Sequence, residues 1–289
     1  MDNSQVGVDH YENFPVASRL CPARLRPAVM AIYRFARTAD DLADEGEAPA
    51  DRRLADLRAF RDELVSMHTG EVTSSRWPHV FAPLQQVTVA HALPISPFED
   101  LLSAFEQDVV KHAYADRAEL LDYCRRSANP VGRLMLHLHG VKDVDALQMS
   151  DAICTALQLA NFWQDLSVDT SRGRLYVPML DCVRHRVDSA DLLRGHAGPG
   201  TPALLAELVR WTRALMLRGA PLTRKLPGSS GWELRLVVQG GLRILDKVER
   251  AGASALESRP KLHAYEAPLL LWRTLWMKAT RQATARKPA

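Results

Sequence analysis

Gln158, Asn161, Asp165 and Asp169 form a polar line in a segment otherwise rich in Leu, Ala, Phe and Trp. On a helix, at about 100° per residue, these four positions share an arc of about 80°. Leu157, Leu159 and Ala160 flank the line. Two carboxylates and two amides on an apolar helix are costly to bury unless something partners them. The stripe therefore predicts a helix packed on its flanks, with one face turned to an ion, a ligand or another polar element.

The rest of the chain repeats the helical pattern. Stretches rich in Ala, Leu, Arg and Glu are separated by short Pro and Gly punctuation. Helices are predicted over 24–45, 50–69, 78–92, 97–113, 117–139, 144–168, 201–219, 231–256 and 265–283. Pro97, Glu99 and Asp100 place a proline and acids in a first turn. Alternating strand patterns are nearly absent, and Leu175–Pro178 is too short to found a sheet. The fold class is all-α. The stretch from His196 to Pro202 is the most loop-like, yet the helices on either side have similar composition. Residues 1–289 thus read as one helical domain with a mobile connection near 170–200.

A formal charge of +3 and the lack of a Lys/Arg run give no sign of nucleic-acid binding. Cys21, Cys124, Cys154 and Cys182 form no CxxC pair, which speaks against a zinc or redox site. The first residues have no basic start followed by an apolar stretch. No run approaches 18 apolar residues. The expectation is a cytoplasmic protein with reduced thiols. Its last segment holds Trp272, Trp276, Arg273, Lys278, Arg281, Arg286 and Lys287 with no acid. A final core helix with a solvated tail explains it; peripheral contact with the inner face of an anionic membrane is the second reading.

A second acidic set precedes the stripe. Tyr33, Arg37, Asp40 and Asp44 share an arc of about 60°, while Asp41 points about 100° away from Asp40. Alone, such a set is commonly a solvated helix face. Two carboxylate pairs on separate helices, one of them with Gln158 and Asn161 as neutral oxygen donors, suit Mg²⁺, which shares oxygen ligands with substrate phosphates. Arg172 and Arg174 follow on a glycine-containing turn, and guanidinium groups match phosphate oxygens. They also serve, more plainly, to neutralise the aspartates. Metal ions clamped between facing helices can stabilise a diphosphate as it departs from an allylic or cyclopropylcarbinyl carbon. The carbocation left behind needs an apolar, mostly dry cavity.

At these residues the chain resembles the squalene/phytoene synthase family. The family's two DxxxD motifs are matched by Asp40–Asp44 and Asp165–Asp169. Its QxxNxxxDxxxD string is matched by Gln158, Asn161, Asp165 and Asp169, and the basic-then-tyrosine element by Arg174 and Tyr176. Tyr33 and Arg37 match the residues ahead of the first motif, and Tyr123, Cys124 and Gly132 the middle of the chain. The resemblance implies an isoprenoid-synthase-type bundle around a central apolar cavity. It implies Mg²⁺ on Asp40, Asp44, Asn161, Asp165 and Asp169, helped by Gln158. A prenyl diphosphate would be held by Arg37, Arg174, Tyr176 and Tyr123, with Tyr33 steadying cationic intermediates or orienting the leaving group. The runs His10–Ser18 and Pro22–Pro27 most resemble the family's bacterial hydroxysqualene-forming branch. That branch converts presqualene diphosphate and water to hydroxysqualene and diphosphate, alongside other squalene-pathway enzymes.

Two features depart from the pattern. Arg125 and Arg126 follow Cys124, and Gly240–Gly241 stand near a position where relatives often carry tyrosine, which suggests room for a water. The alternatives within the fold are condensation of two farnesyl diphosphates to presqualene diphosphate or squalene, and phytoene synthesis. A terpene cyclase would carry a different second motif. A di-iron bundle would need Glu-x-x-His pairs. A non-catalytic prenyl-lipid carrier would have no use for four aligned aspartates.

Overall fold

The computed structural model describes residues 21–70, 76–226 and 228–277. Thirteen α-helices lie within them. The first six are α1 (Arg26–Asp44), α2 (Ala50–Thr69), α3 (Pro78–His91), α4 (Ser96–Val110), α5 (Arg117–Ser127) and α6 (Asn129–Leu138). Then come α7 (Val144–Gln164), α8 (Leu166–Ser171), α9 (Met179–Arg184) and α10 (Ser189–Leu193). The last are α11 (Thr201–Gly219), α12 (Gly228–Ala251) and α13 (Ala267–Leu275). No strand forms among the described residues; Ala113 and Leu175 make one parallel bridge.

Local chemistry explains most helix starts. Proline stands in the first turn of α1, α3, α4, α6, α11 and α13, where no amide hydrogen bond is lost. Asp116, Asp143 and Asp188 cap α5, α7 and α10 by accepting from backbone amides.

Four expectations change. The helix predicted over 117–139 is two, because Pro130 offers no amide to the preceding turn and the chain leaves helical geometry at Ala128 (φ −120°, ψ −46°). The helix predicted over 144–168 breaks at Asp165 (φ −97°, ψ 13°), which separates α7 from α8. The connection expected to be mobile is packed: Leu175, Val177, Cys182, Val187 and Leu192 belong to the core. The amides of Leu175, Met179 and Leu180 donate to the carbonyls of His112, Tyr114 and Ala115. Finally, α13 ends at Leu275. The run His10–Ser18 and the tail from Lys278 onward lie outside the described residues.

Helix α7 is the central element, packed on α5, α6, α11 and α12. Close approach is possible because a Cβ on Gly132 of α6 would collide with Ser150 Oγ and Cys154 Sγ, and one on Gly219 of α11 with Met149 O and Ile153. Three apolar clusters result. One joins α1 to α4 around Phe35, Phe60, Phe81 and Phe98. The second joins α5, α7, α11 and residues 175–192, and the third α6, α7, α11 and α12. Gln158, Asn161, Asp165 and Asp169 belong to none of them.

Candidate active site

The predicted stripe survives the break in its helix. Asp165 N donates to Asn161 O and Asp169 N to Asp165 O, both at 2.8 Å, so the polar line continues into α8. Gln158, Asn161, Asp165 and Asp169 are half-buried, while Leu157, Leu159, Ala160, Phe162, Trp163 and Leu166 around them are buried. Tyr33, Arg37, Asp40 and Asp44 form the matching half-buried line of α1.

Two arginines join the lines. Gly173, at φ +74°, turns the chain after α8 in a conformation glycine adopts without strain. Arg172 and Arg174 on either side of it both reach Asp44 at the end of α1. Arg172 Nη1 lies 3.0 Å from Asp44 Oδ2, and Arg174 pairs with Oδ1. Asp165 is held by Arg259, whose Nη2 donates to Oδ2 at 3.1 Å, and by Asn161 Nδ2 at 3.2 Å. Arg37 serves acids of its own helix: Asp40 at 3.3 Å, Asp41 at 2.7 Å and Glu45 at 2.5 Å. The first motif and the turn after the second therefore border one mouth, and guanidinium groups already pair with Asp40, Asp44 and Asp165. Beside Asp44 an open pocket of about 350 Å³ is lined by Arg53, Val109, His112, Arg172 and Arg174. Arg53 itself caps α1, donating to Ala43 O and Gly46 O at 2.6 Å.

Burial governs the protonation of these carboxyls more than the local charge balance does. Burial pushes Asp40 up to about 6, with Asp44 and Asp41 adding to it against the pull of Arg37 and Arg174. Burial, then the neighbouring Asp165, pushes Asp169 up to about 7 despite Arg174 and Arg172. Such a set, partly buried and made of hard oxygen donors, fits a divalent cation. Among the described residues no three His, Cys, Asp or Glu side chains gather to enclose one by themselves. The donors fit an ion that shares its coordination with a ligand's oxygens.

Sequence reasoning missed two residues. Asp108, near the end of α4, accepts from Tyr123 Oη at 2.7 Å, and its other oxygen is buried without a hydrogen-bond partner. Burial pushes it up to about 7; Tyr123 and Arg174 pull down, while Asp40 and Asp44 push further up. In the sequence it is one of four acids of its helix, with nothing to set it apart. Arg259 is the other. Gln164 Nε2 donates to Pro260 O at 2.7 Å, which ties the end of α7 to this segment and sets Arg259 over Asp165.

The predicted tyrosines are deeper than a surface ligand site requires. Tyr176 stacks on Phe162, with ring centres 3.8 Å apart and planes at 4°. Tyr123 is buried beside both, with Asp108 as its partner. Burial raises both phenols well above their ordinary value, so they stay neutral. Gly241 does not offer the expected room. A Cβ there would lie 2.7 Å from Met216 Cε and 3.0 Å from Leu157 Cδ2, whereas one on Gly240 would meet no neighbouring element within 4 Å among the described residues.

The chain is similar to known proteins. The chain is 38% identical to hydroxysqualene synthase from Zymomonas mobilis over 212 residues, 72% of this chain and 69% of the relative. It is 31% identical to presqualene diphosphate synthase from Rhodopseudomonas palustris over 204 residues, 70% of this chain and 71% of the relative. The crystal structure of squalene synthase HpnC from Alicyclobacillus acidocaldarius superposes with a TM-score of 0.77 at 38% identity, covering 84% of this chain and 90% of that one. Residues 8–266 match the squalene/phytoene synthase family, and the chain belongs to that family.

Proposed function

We propose that this chain converts presqualene diphosphate and water to hydroxysqualene and diphosphate. The observation that supports the reading is the pairing of Arg172 and Arg174, on the turn after the second acidic motif, with Asp44 of the first. The similarity to a hydroxysqualene synthase supports the choice of substrate. Asp40, Asp44, Asn161, Asp165 and Asp169 would hold Mg²⁺, with Gln158 beside them. Bound there with the substrate, the metal supplies Lewis-acid stabilisation of the leaving diphosphate.

The protein's own groups do the rest. Arg172 and Arg174 would bind diphosphate oxygens once Asp44 is engaged elsewhere, with Arg37 and Tyr33 on the same helix as Asp44. The C–O bond breaks and its electron pair leaves with the diphosphate. The cyclopropylcarbinyl cation rearranges among apolar walls that exclude bulk water. A water oxygen then closes the new C–O bond, and its proton goes to the released diphosphate. Tyr176 and Phe162 present a ring stack on the apolar side; the face of such a stack favours cationic charge.

The test is incubation with Mg²⁺ and either presqualene or farnesyl diphosphate, with the lipid product identified by mass spectrometry. Hydroxysqualene from presqualene diphosphate is expected; its absence overturns the reading. Presqualene diphosphate formed from farnesyl diphosphate would instead support head-to-head condensation, the reading favoured by similarity to the R. palustris relative. Asp165→Ala should lower Mg²⁺-dependent turnover by about 100-fold or more with unchanged helical circular dichroism.

A further inference from the structure

Helix α13 is built inside out. Its polar side faces the protein: Thr274 is 2% exposed, with its hydroxyl donating to Leu270 O. Arg273 reaches Asp246 at 3.1 Å. At the start of the helix Glu266 is buried and paired at 2.7 Å with both Arg243 and Lys247 of α12. The apolar side faces out. Leu269, Leu271, Trp272, Leu275 and Trp276 are exposed, the tryptophans at 59% and 63%. At about 100° per residue they fill one arc of about 160°. The two indole rings lie 5.4 Å apart and border an open cleft of about 340 Å³.

Folding ordinarily hides such a face, and a contiguous apolar patch left outside marks a contact surface. The ion pairs on the inner side prevent the helix from rolling over. Charge identifies what covers it. From Ala267 to Ala289 the chain carries Arg273, Lys278, Arg281, Arg286 and Lys287 and no acid. A second copy docked about a two-fold axis would bring two acid-free basic segments together. An anionic bilayer matches both features, because tryptophan settles at headgroup level and Lys and Arg are drawn to lipid phosphate.

The geometry points to α13 as an interfacial anchor that lies on an anionic lipid surface, with Trp272 and Trp276 among the headgroups and the basic character of the sequence that follows adding attraction to lipid phosphate. No described helix is long and apolar enough to cross a membrane, so the contact is one of lying on. It holds whatever the substrate proves to be.

The test uses the full chain with vesicles of phosphatidylethanolamine and phosphatidylglycerol, and with vesicles of phosphatidylcholine alone. Co-sedimentation and a blue shift of tryptophan emission are expected on the first only, weakening with added salt. Trp272→Ser with Trp276→Ser, and separately Lys278→Glu with Arg281→Glu, should each lower the partition by roughly tenfold or more. Both variants should keep circular dichroism and turnover in detergent. Equal binding to both vesicles overturns the proposal, as does unchanged partition of both variants. So does a concentration-dependent dimer that the tryptophan variant abolishes without lipid.

Discussion

Asp108 has one oxygen on Tyr123 and the other unpartnered inside the protein. With Asp40 and Asp169 it forms a group of carboxyls pushed up to about 7, 6 and 7. Between about pH 4 and those values the folded chain holds protons that the unfolded chain has released. Their contribution to stability is therefore present at low pH and lost as pH rises toward 7. Asp108→Asn keeps an acceptor for Tyr123 and removes the titration. Urea midpoints at pH 5 and pH 8 should show a smaller decline in the variant than in the parent chain; equal declines would show that Asp108 does not titrate there. The same set predicts that joint binding of Mg²⁺ and inorganic diphosphate at pH 7 releases protons. Calorimetric heats should then vary with the ionisation enthalpy of the buffer, and buffer-independent heats would contradict it.

At the scale of elements, the crossings at α7 depend on glycine. Gly132→Val should cost about 1–3 kcal/mol by overpacking against Ser150 and Cys154, measured by chemical denaturation. Gly240→Ala, with open space around it, should be neutral or stabilising by up to about 1 kcal/mol. Gly241→Tyr would drive a ring into Met216 and Leu157, so a loss of turnover there would reflect broken packing and would carry no information about water capture. Most long helices were legible because Pro, Gly and Asp mark their ends locally. The break at Asp165 was not, since α-type hydrogen bonds run across it and only tertiary packing re-aims the chain. The two DxxxD lines were legible through 3.6-residue geometry. Arg259 was not, because it reaches Asp165 through the bond from Gln164 to Pro260, a contact 96 residues apart.

Across the whole molecule, the mouth couples parts that are distant in the chain: α1, the turn after α8, and the segment before α13. The pairing of Arg172 and Arg174 with Asp44 has a consequence for selectivity. A bare cluster of guanidinium groups would collect any polyanion, with an affinity that falls steeply as salt is added. Here the cations carry internal counterions, so under the proposed function the mouth should act as an ion exchanger that opens to a matched pair of ions. A polyanion would gain the arginines when a dication takes over the aspartates. Inorganic diphosphate should therefore bind too weakly to detect by calorimetry in EDTA, even at low salt, and bind measurably once Mg²⁺ is present. Tight binding in EDTA would mean that the arginines are available without exchange. A polyanion that arrives without a dication would meet an electrically closed door.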